Sequence, residues 1–232
     1  MKKNCIFIGL VLLIISVAFF ACTTKNSKAV QTGDLLFVDL QLDYTFKDSV
    51  NGHPFTIHKI QNGEEVNYIH VAILEVDAND SLWIIDATLK NNVARYPFST
   101  FLKNFTLTDG SYPRMELMRL KNNRHAADFV ENAKKQIGKV YDVDMRENND
   151  KLYCSELVRV SYVSHGDTIF GHGPIDFRAA DGTIPTYWTE FFGMIGKPLP
   201  QGNRGILPNA MIKDKSLEKV AVVDDPTVLF NR

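Results

Sequence analysis

Three residues in this chain have the types and spacing for acyl transfer: a cysteine, a histidine and an aspartate. Cys154, in "KLYCSELV", is the only one of three cysteines beyond residue 22. A cysteine attacks as its thiolate, so it needs a nearby cause of deprotonation. At the start of a helix running to residue 165, it has one in the helix N-terminus, with its free N–H groups and roughly half a positive charge. Those N–H groups also suit a developing oxyanion, the backbone amide of Cys154 first among them. The other reading of a lone thiol is an inert, buried small hydrophobe.

A thiol nucleophile also needs a base, and there are six histidines. His53 and His58 fall in an irregular stretch, and His125 lies near the start of another helix. His165 closes the helix of Cys154 and is about 16 Å from it at the helical rise. His172, in "GHGP", sits in a loop with nothing to orient it. His70, in "VNYIHVAIL", shares an alternating face with Val66, Tyr68, Ala72 and Leu74, the face a strand turns inward. It can equally be a core-edge histidine satisfied by a carbonyl.

Asp86, in "WIIDAT", favours the first reading, because a carboxylate among Trp83, Ile84, Ile85 and Ala87 needs a partner. A hairpin with a three-residue loop at 78–80 pairs His70 with Thr88 and makes Asp86 its diagonal neighbour. Such neighbours lie roughly 7 to 8 Å apart at the backbone, within side-chain reach. The carboxylate would fix one ring nitrogen and leave the other for the thiol. A one-residue slip would separate the two onto opposite faces.

The elements that must hold these residues can be read in outline. Residues 33–40 form a strand, 41–65 an excursion of loops, and 66–76 and 81–89 the hairpin. "YPFSTFLKN" is a short helix opened by Pro97, 114–121 a strand, and 123–137 a helix closed by Gly138. A further helix begins at Cys154 and is closed by Gly166. From about 168 onward, glycine, proline and aromatic residues suggest long ordered loops of the kind used for binding. Strands and helices do not alternate strictly, so the class is α+β.

Residues 1–21 carry Lys2, Lys3 and an apolar run ending at "FFAC", a secretory signal pattern. Its end resembles a bacterial lipoprotein cleavage box, which makes Cys22 the lipidation site and 22–32 a polar tether, with one domain over 33–232. The expected location is the cell envelope, lipid-anchored and periplasm-facing. A net charge of −1 without a basic run argues against a nucleic-acid partner. With Cys5 removed and Cys22 acylated, Cys154 has no intramolecular partner in an oxidising compartment. No cluster of histidine, cysteine and carboxylate has ligand spacing, so no metal or other cofactor is expected.

"GDLLF", "IHVAI" with an acidic residue on the next strand, "GKVYD" before "YCSELV", and "LPQGNRGILPNAM" with "KSLEKV" together resemble the circularly permuted papain-like hydrolases. These are the YiiX-like branch of the NlpC-type cysteine peptidase superfamily. The resemblance runs from about Gly33 to about Val223. It implies an antiparallel sheet or small barrel packed against the helix bearing the nucleophilic cysteine, with the histidine strand first in the chain. Carried over, Cys154 is the nucleophile, His70 the base and Asp86 the orienting residue, where relatives often hold glutamate. Tyr141 resembles the tyrosine that helps frame the oxyanion site. Tyr187, Trp188 and the 197–209 loop are expected to line the substrate cleft.

The expected activity is a cysteine peptidase or amidase that cleaves an amide through a thioester, with peptidoglycan stem peptides as substrate. A lipid acyltransferase or thioesterase with the same residues, or a non-catalytic envelope binding protein, are the alternatives.

Overall fold

The computed structural model describes residues 30–39, 44–50, 53–57, 68–106, 110–179, 182–184 and 186–230. The signal segment, most of the tether and Cys22 lie outside the described residues.

Strand β1 (Leu35–Asp39) is buried along its whole length, as its unbroken apolar run requires of a strand covered on both faces. Gly33 leads into it with φ +82°, and a Cβ there would stand 2.7 Å from Ala126 Cβ. Within the expected loop excursion, β2 (Tyr44–Val50) and β3 (His53–Ile57) pair as an antiparallel hairpin. That differs from the loop reading, in which "NGHP" marked irregular chain. The "NG" pair itself, residues 51–52, lies outside the described residues.

β4 (Tyr68–Val76) and β5 (Leu82–Thr88) form the expected hairpin. Their ladder, Ile73↔Ile85 to Val76↔Leu82, has the register that places His70 and Asp86 on adjacent diagonals. β6 (Asn92–Pro97) continues the sheet; sequence reasoning did not resolve it as a strand. Pro97 ends it and opens α1 (Phe98–Asn104). β7 (Met115–Leu120) and α2 (Ala126–Lys134) follow.

β8 (Val140–Tyr141) and β9 (Lys151–Leu152) make a short parallel ladder that delivers the chain to α3 (Cys154–Ser161). The helix stops at Ser161, short of residue 165. Tyr162 leaves helical geometry, and its hydroxyl donates to the carbonyl of Gly33 at 2.9 Å. The next residues form a small hairpin, β10 (Val163–Ser164) with β11 (Asp167–Thr168). His165 and Gly166, both with positive φ, make its turn.

The C-terminal third, expected as long ordered loops, carries regular elements as well. It holds β12 (Gly173–Pro174), α4 (Thr186–Met194), β13 (Arg204–Gly205), α5 (Pro208–Met211), β14 (Leu217–Val223) and a 3-10 turn at Pro226–Phe230. β14 pairs with β7 and forms an edge of the main sheet. Its alternation is weak, with only Leu217 and Val223 buried, so period-two reading could not detect it.

The main sheet is antiparallel throughout, in the order β14-β7-β1-β4-β5-β6. One core cluster joins Phe37, Val71, Ile73 and Ile85 to Phe129 and Val130 of α2 and Leu157 and Val158 of α3. A second joins Leu36, Val38, Ala72, Leu74 and Ile84 to Phe98, Phe101 and Leu102 of α1. Helices thus cover both faces, which makes this an α+β fold with the cysteine helix packed on an antiparallel sheet. Asp34, buried at the mouth of β1, is clasped by Arg119 through contacts of 2.7 and 2.8 Å.

Candidate active site

Cys154 occupies the first position of α3, behind an extended N-cap at Tyr153. The residue is 4% exposed and is the free cysteine among the described residues. Leu157 and Val158 pin the helix on the sheet beneath it, so the cysteine rides on a rigid element.

His70 reaches it from β4. The register of β1 with β4 slips between Val38↔His70 and Asp39↔Tyr68. Tyr68 therefore joins the cluster of Phe37, Val71 and Ile73, while Ala72 and Leu74 stay in the other one. The simple alternation expected for 66–74 breaks at this bulge, which re-aims side chains locally. Past Ile73↔Ile85 the β4–β5 ladder ends, while β5 goes on pairing with β6 as far as Thr88↔Asn92. His70 and Asp86 sit where β4 and β5 part.

There His70 Nε2 lies 2.9 Å from Asp86 Oδ2. Asp86 is fully buried and His70 nearly so. Nε2 is engaged by the carboxylate, which leaves Nδ1 as the ring's free nitrogen, and Cys154 is the other group that acts on the imidazole. Phe105 and Phe101 lie against the ring at centroid distances of 5.4 and 6.2 Å. Burial by itself works against the imidazolium, but the bonds to Asp86 and then Cys154 outweigh it. The His70 pKa is raised to about 10, so the ring carries a proton at neutral pH.

Behind Asp86 stands Tyr96 on β6, with its hydroxyl 2.8 Å from Oδ1 and 2.7 Å from Oδ2. Sequence reasoning missed it along with β6. The available signal was "NVARYP", in which Val93 and Tyr96 bracket two residues ahead of a proline stop.

Tyr141 pairs with Leu152 across the β8–β9 ladder, two residues before Cys154, so it is brought beside the start of α3. It is half-buried, and its N–H donates to Asn92 Oδ1 at 3.1 Å. Trp188 does not serve as a cleft wall. It is 5% exposed, set edge-on to Phe177 at 4.9 Å, and belongs to a third cluster with Tyr153, Ile175 and Phe192. An indole enclosed this way has its surface taken up by packing. Tyr187 lies on the same helix, α4, and its side chain is outside the described residues.

The 197–209 segment crosses the start of α3. Ile206 N–H donates to Tyr153 Oη at 3.0 Å, and Ser155 Oγ donates to the Ile206 carbonyl at 2.7 Å. Glu156, in the first turn, is also buried, and its Oε2 has no hydrogen-bond partner. Burial first and the Asp142 carboxylate second raise its pKa to about 7, against the Tyr153 N–H that it accepts. A cavity of about 580 Å³ opens elsewhere, between α2 and the far end of β4, lined by Glu75, Asp77, Asn123 and Lys134.

An antiparallel sheet that carries a histidine–carboxylate pair, with a cysteine at the N-terminus of the helix packed on it, defines a papain-like fold in permuted order. Residues 29–221 match the permuted papain-like amidase family, YaeF/YiiX, C92, and the chain belongs to that family. Among solved structures it is similar to the metalloprotein yiiX from Escherichia coli O157:H7. The identity is 21% over 83% of this chain and 97% of that one, with a TM-score of 0.57, a likeness of fold. No curated protein matches the sequence.

Among the described residues, no group of three or more histidine, cysteine, aspartate or glutamate side chains is placed to hold a metal ion. No helix among them is long and apolar enough to cross a membrane.

Proposed function

We propose that the protein is a cysteine amidase of the cell envelope that cleaves an amide bond in peptidoglycan stem peptides through a thioester. The observation that carries this reading is the 2.9 Å His70–Asp86 contact on the sheet against which the helix beginning at Cys154 packs. An imidazolium beside a thiol at a helix N-terminus favours the thiolate. Cys154 Sγ attacks the carbonyl carbon, and the developing oxyanion meets backbone N–H groups at the start of α3, with Tyr141 framing the space. The C–N bond breaks as His70 hands its proton to the leaving amine. His70, now neutral, takes a proton from water, and hydroxide attack on the thioester releases the acid and restores the thiolate–imidazolium pair. Asp86 holds the ring in one tautomer throughout.

In this reading Cys22 is the lipidated residue that tethers the domain to the membrane, facing the periplasm, where the cell-wall polymer is the substrate at hand.

The test is incubation of the purified protein with defined muropeptides and, separately, with lipid esters, with Cys154→Ala as the blank. Release of new amino termini from muropeptides, and an acyl adduct on the Cys154 peptide by mass spectrometry, support the assignment. Turnover of lipid esters alone would replace it with an acyltransferase or thioesterase, and turnover that survives Cys154→Ala would overturn both.

A further inference from the structure

Asp86 faces His70 with one oxygen, yet both its oxygens are held from behind. The holder is Tyr96, a buried residue of β6, whose single hydroxyl sits 2.8 and 2.7 Å from the two carboxylate oxygens. A phenol has one proton to donate and lone pairs to accept with. The amides of Asn91, in the β5–β6 turn, and Asn104, at the end of α1, act on the same hydroxyl and favour negative charge there. A carboxylate can only accept, so the phenolic proton is the one that points at Asp86. The bonds converge on the carboxylate: the Tyr96 hydroxyl donates to Asp86 from behind, and His70 Nε2–H donates to it from the front. Burial, with the Asp86 charge, keeps Tyr96 protonated far above neutral pH, so it stays a donor.

We propose that Tyr96 is a positioning residue of this site, one that acts on His70 through Asp86 by holding the carboxylate charged and oriented. A carboxylate buried at zero exposure depends on the donors it has, since hydrogen bonds to the charged form are what favour that form. With the phenol gone, Asp86 keeps His70 as its named side-chain partner and supports the imidazolium less well. The other titratable groups facing His70 are Cys154 from α3 and Asp86 from β5; α1 presents the uncharged rings of Phe101 and Phe105.

The inference rests on the cysteine-amidase reading, and the experiment separates the two. Alkylation of Cys154 by iodoacetamide is followed against pH in wild type, Tyr96→Phe, Asp86→Asn, His70→Ala and the Tyr96→Phe/Asp86→Asn double variant. Tyr96→Phe is expected to move half-maximal alkylation upward by about one pH unit, the scale of one hydrogen bond to a charged group. In the Asp86→Asn background it should add nothing. Asn104→Leu, which leaves the phenol in place but removes an amide that favours negative charge on its oxygen, is expected to shift the profile the same way by less. It also serves if Tyr96→Phe does not fold.

If His70→Ala and Asp86→Asn move the profile and neither Tyr96→Phe nor Asn104→Leu does, the inference fails alone. If His70→Ala leaves the profile where it was, the amidase reading falls and takes the inference with it. An additive effect in the double variant would show that Tyr96 acts by some route other than Asp86, which also overturns it.

Discussion

His70 Nε2 and Asp86 Oδ2 meet at 2.9 Å just past the point where the β4–β5 ladder ends, so the pair fills the gap the parting strands leave. Replacing Asp86 with asparagine keeps the volume and removes the charge, which leaves an imidazolium buried without its counter-charge. Asp86→Asn is expected to lower kcat on the proposed muropeptide substrate by roughly a hundredfold or more, in the range of a lost acid–base contribution. Its far-UV spectrum should match wild type. A kcat within threefold of wild type would remove Asp86 from the mechanism.

The same contact makes stability pH-dependent. His70 is raised from 6.5 to about 10 in the folded protein. A histidine whose folded pKa lies above its unfolded one stabilises fully below the unfolded value, and that contribution is lost as pH rises through the folded value. The melting temperature is expected to fall between pH 7 and pH 10, and His70→Gln should flatten the curve in that window. Each kcal/mol lost appears as about 2 to 4 °C for a chain of this size.

Glu156 gives a second window, lower on the scale. Its carboxyl is raised to about 7 by burial and by Asp142. The protonated form is the one the fold accepts, so stability is fully present below about 4.5 and falls as pH rises through 7. Glu156→Gln mimics the neutral form and keeps an oxygen for the Tyr153 N–H. Thermal melts should show the variant matching wild type at pH 5 and exceeding it at pH 8. Equal stability at pH 8 would show that the buried carboxylate has found a donor.

How far these relationships could be read without coordinates depended on whether local pattern determined them. The β4–β5 register was legible because Asp77–Ser81 is short and the flanking runs are strongly apolar, which leaves few ways to pair them. The cysteine helix was legible from Leu157 and Val158. The inward face of His70 was read correctly only in part, because the bulge that makes Ile69 an extra residue of β4 between His70 and Tyr68 has no signature in the local sequence. Tyr96 was hidden because β6 is half-exposed and its role depends on a strand two positions away in the fold, not on its sequence neighbours. Trp188 was misassigned because composition does not distinguish an aromatic in a core from one on a cleft. β14 is held by its pairing with β7 more than by its own alternation.

Gly205 offers the most local of the predictions. It lies in β13, inside the segment that straps the start of α3. A Cβ added there would stand 2.3 Å from Tyr153 Oη and 2.9 Å from Ile175 Cδ1, distances that cannot be tolerated without movement. Tyr153 is the N-cap of the cysteine helix, 1% exposed, and its hydroxyl accepts the Ile206 N–H. The ring therefore cannot swing outward without breaking that bond, and the strap must move instead. Because the Ile206 carbonyl also takes the Ser155 hydroxyl, movement of the strap loosens two ties to the first turn of α3. Gly205→Ala is expected to cost about 1 to 3 kcal/mol, the usual range for overpacking, and to lower turnover by more than its stability loss alone explains. Urea denaturation checks the first part and kcat at a temperature well below the melting point checks the second. Tyr153→Phe removes the oxygen that the new methyl would strike, so in that background the Gly205→Ala penalty should shrink. A penalty that stays the same would place the strain on Ile175 rather than on the N-cap.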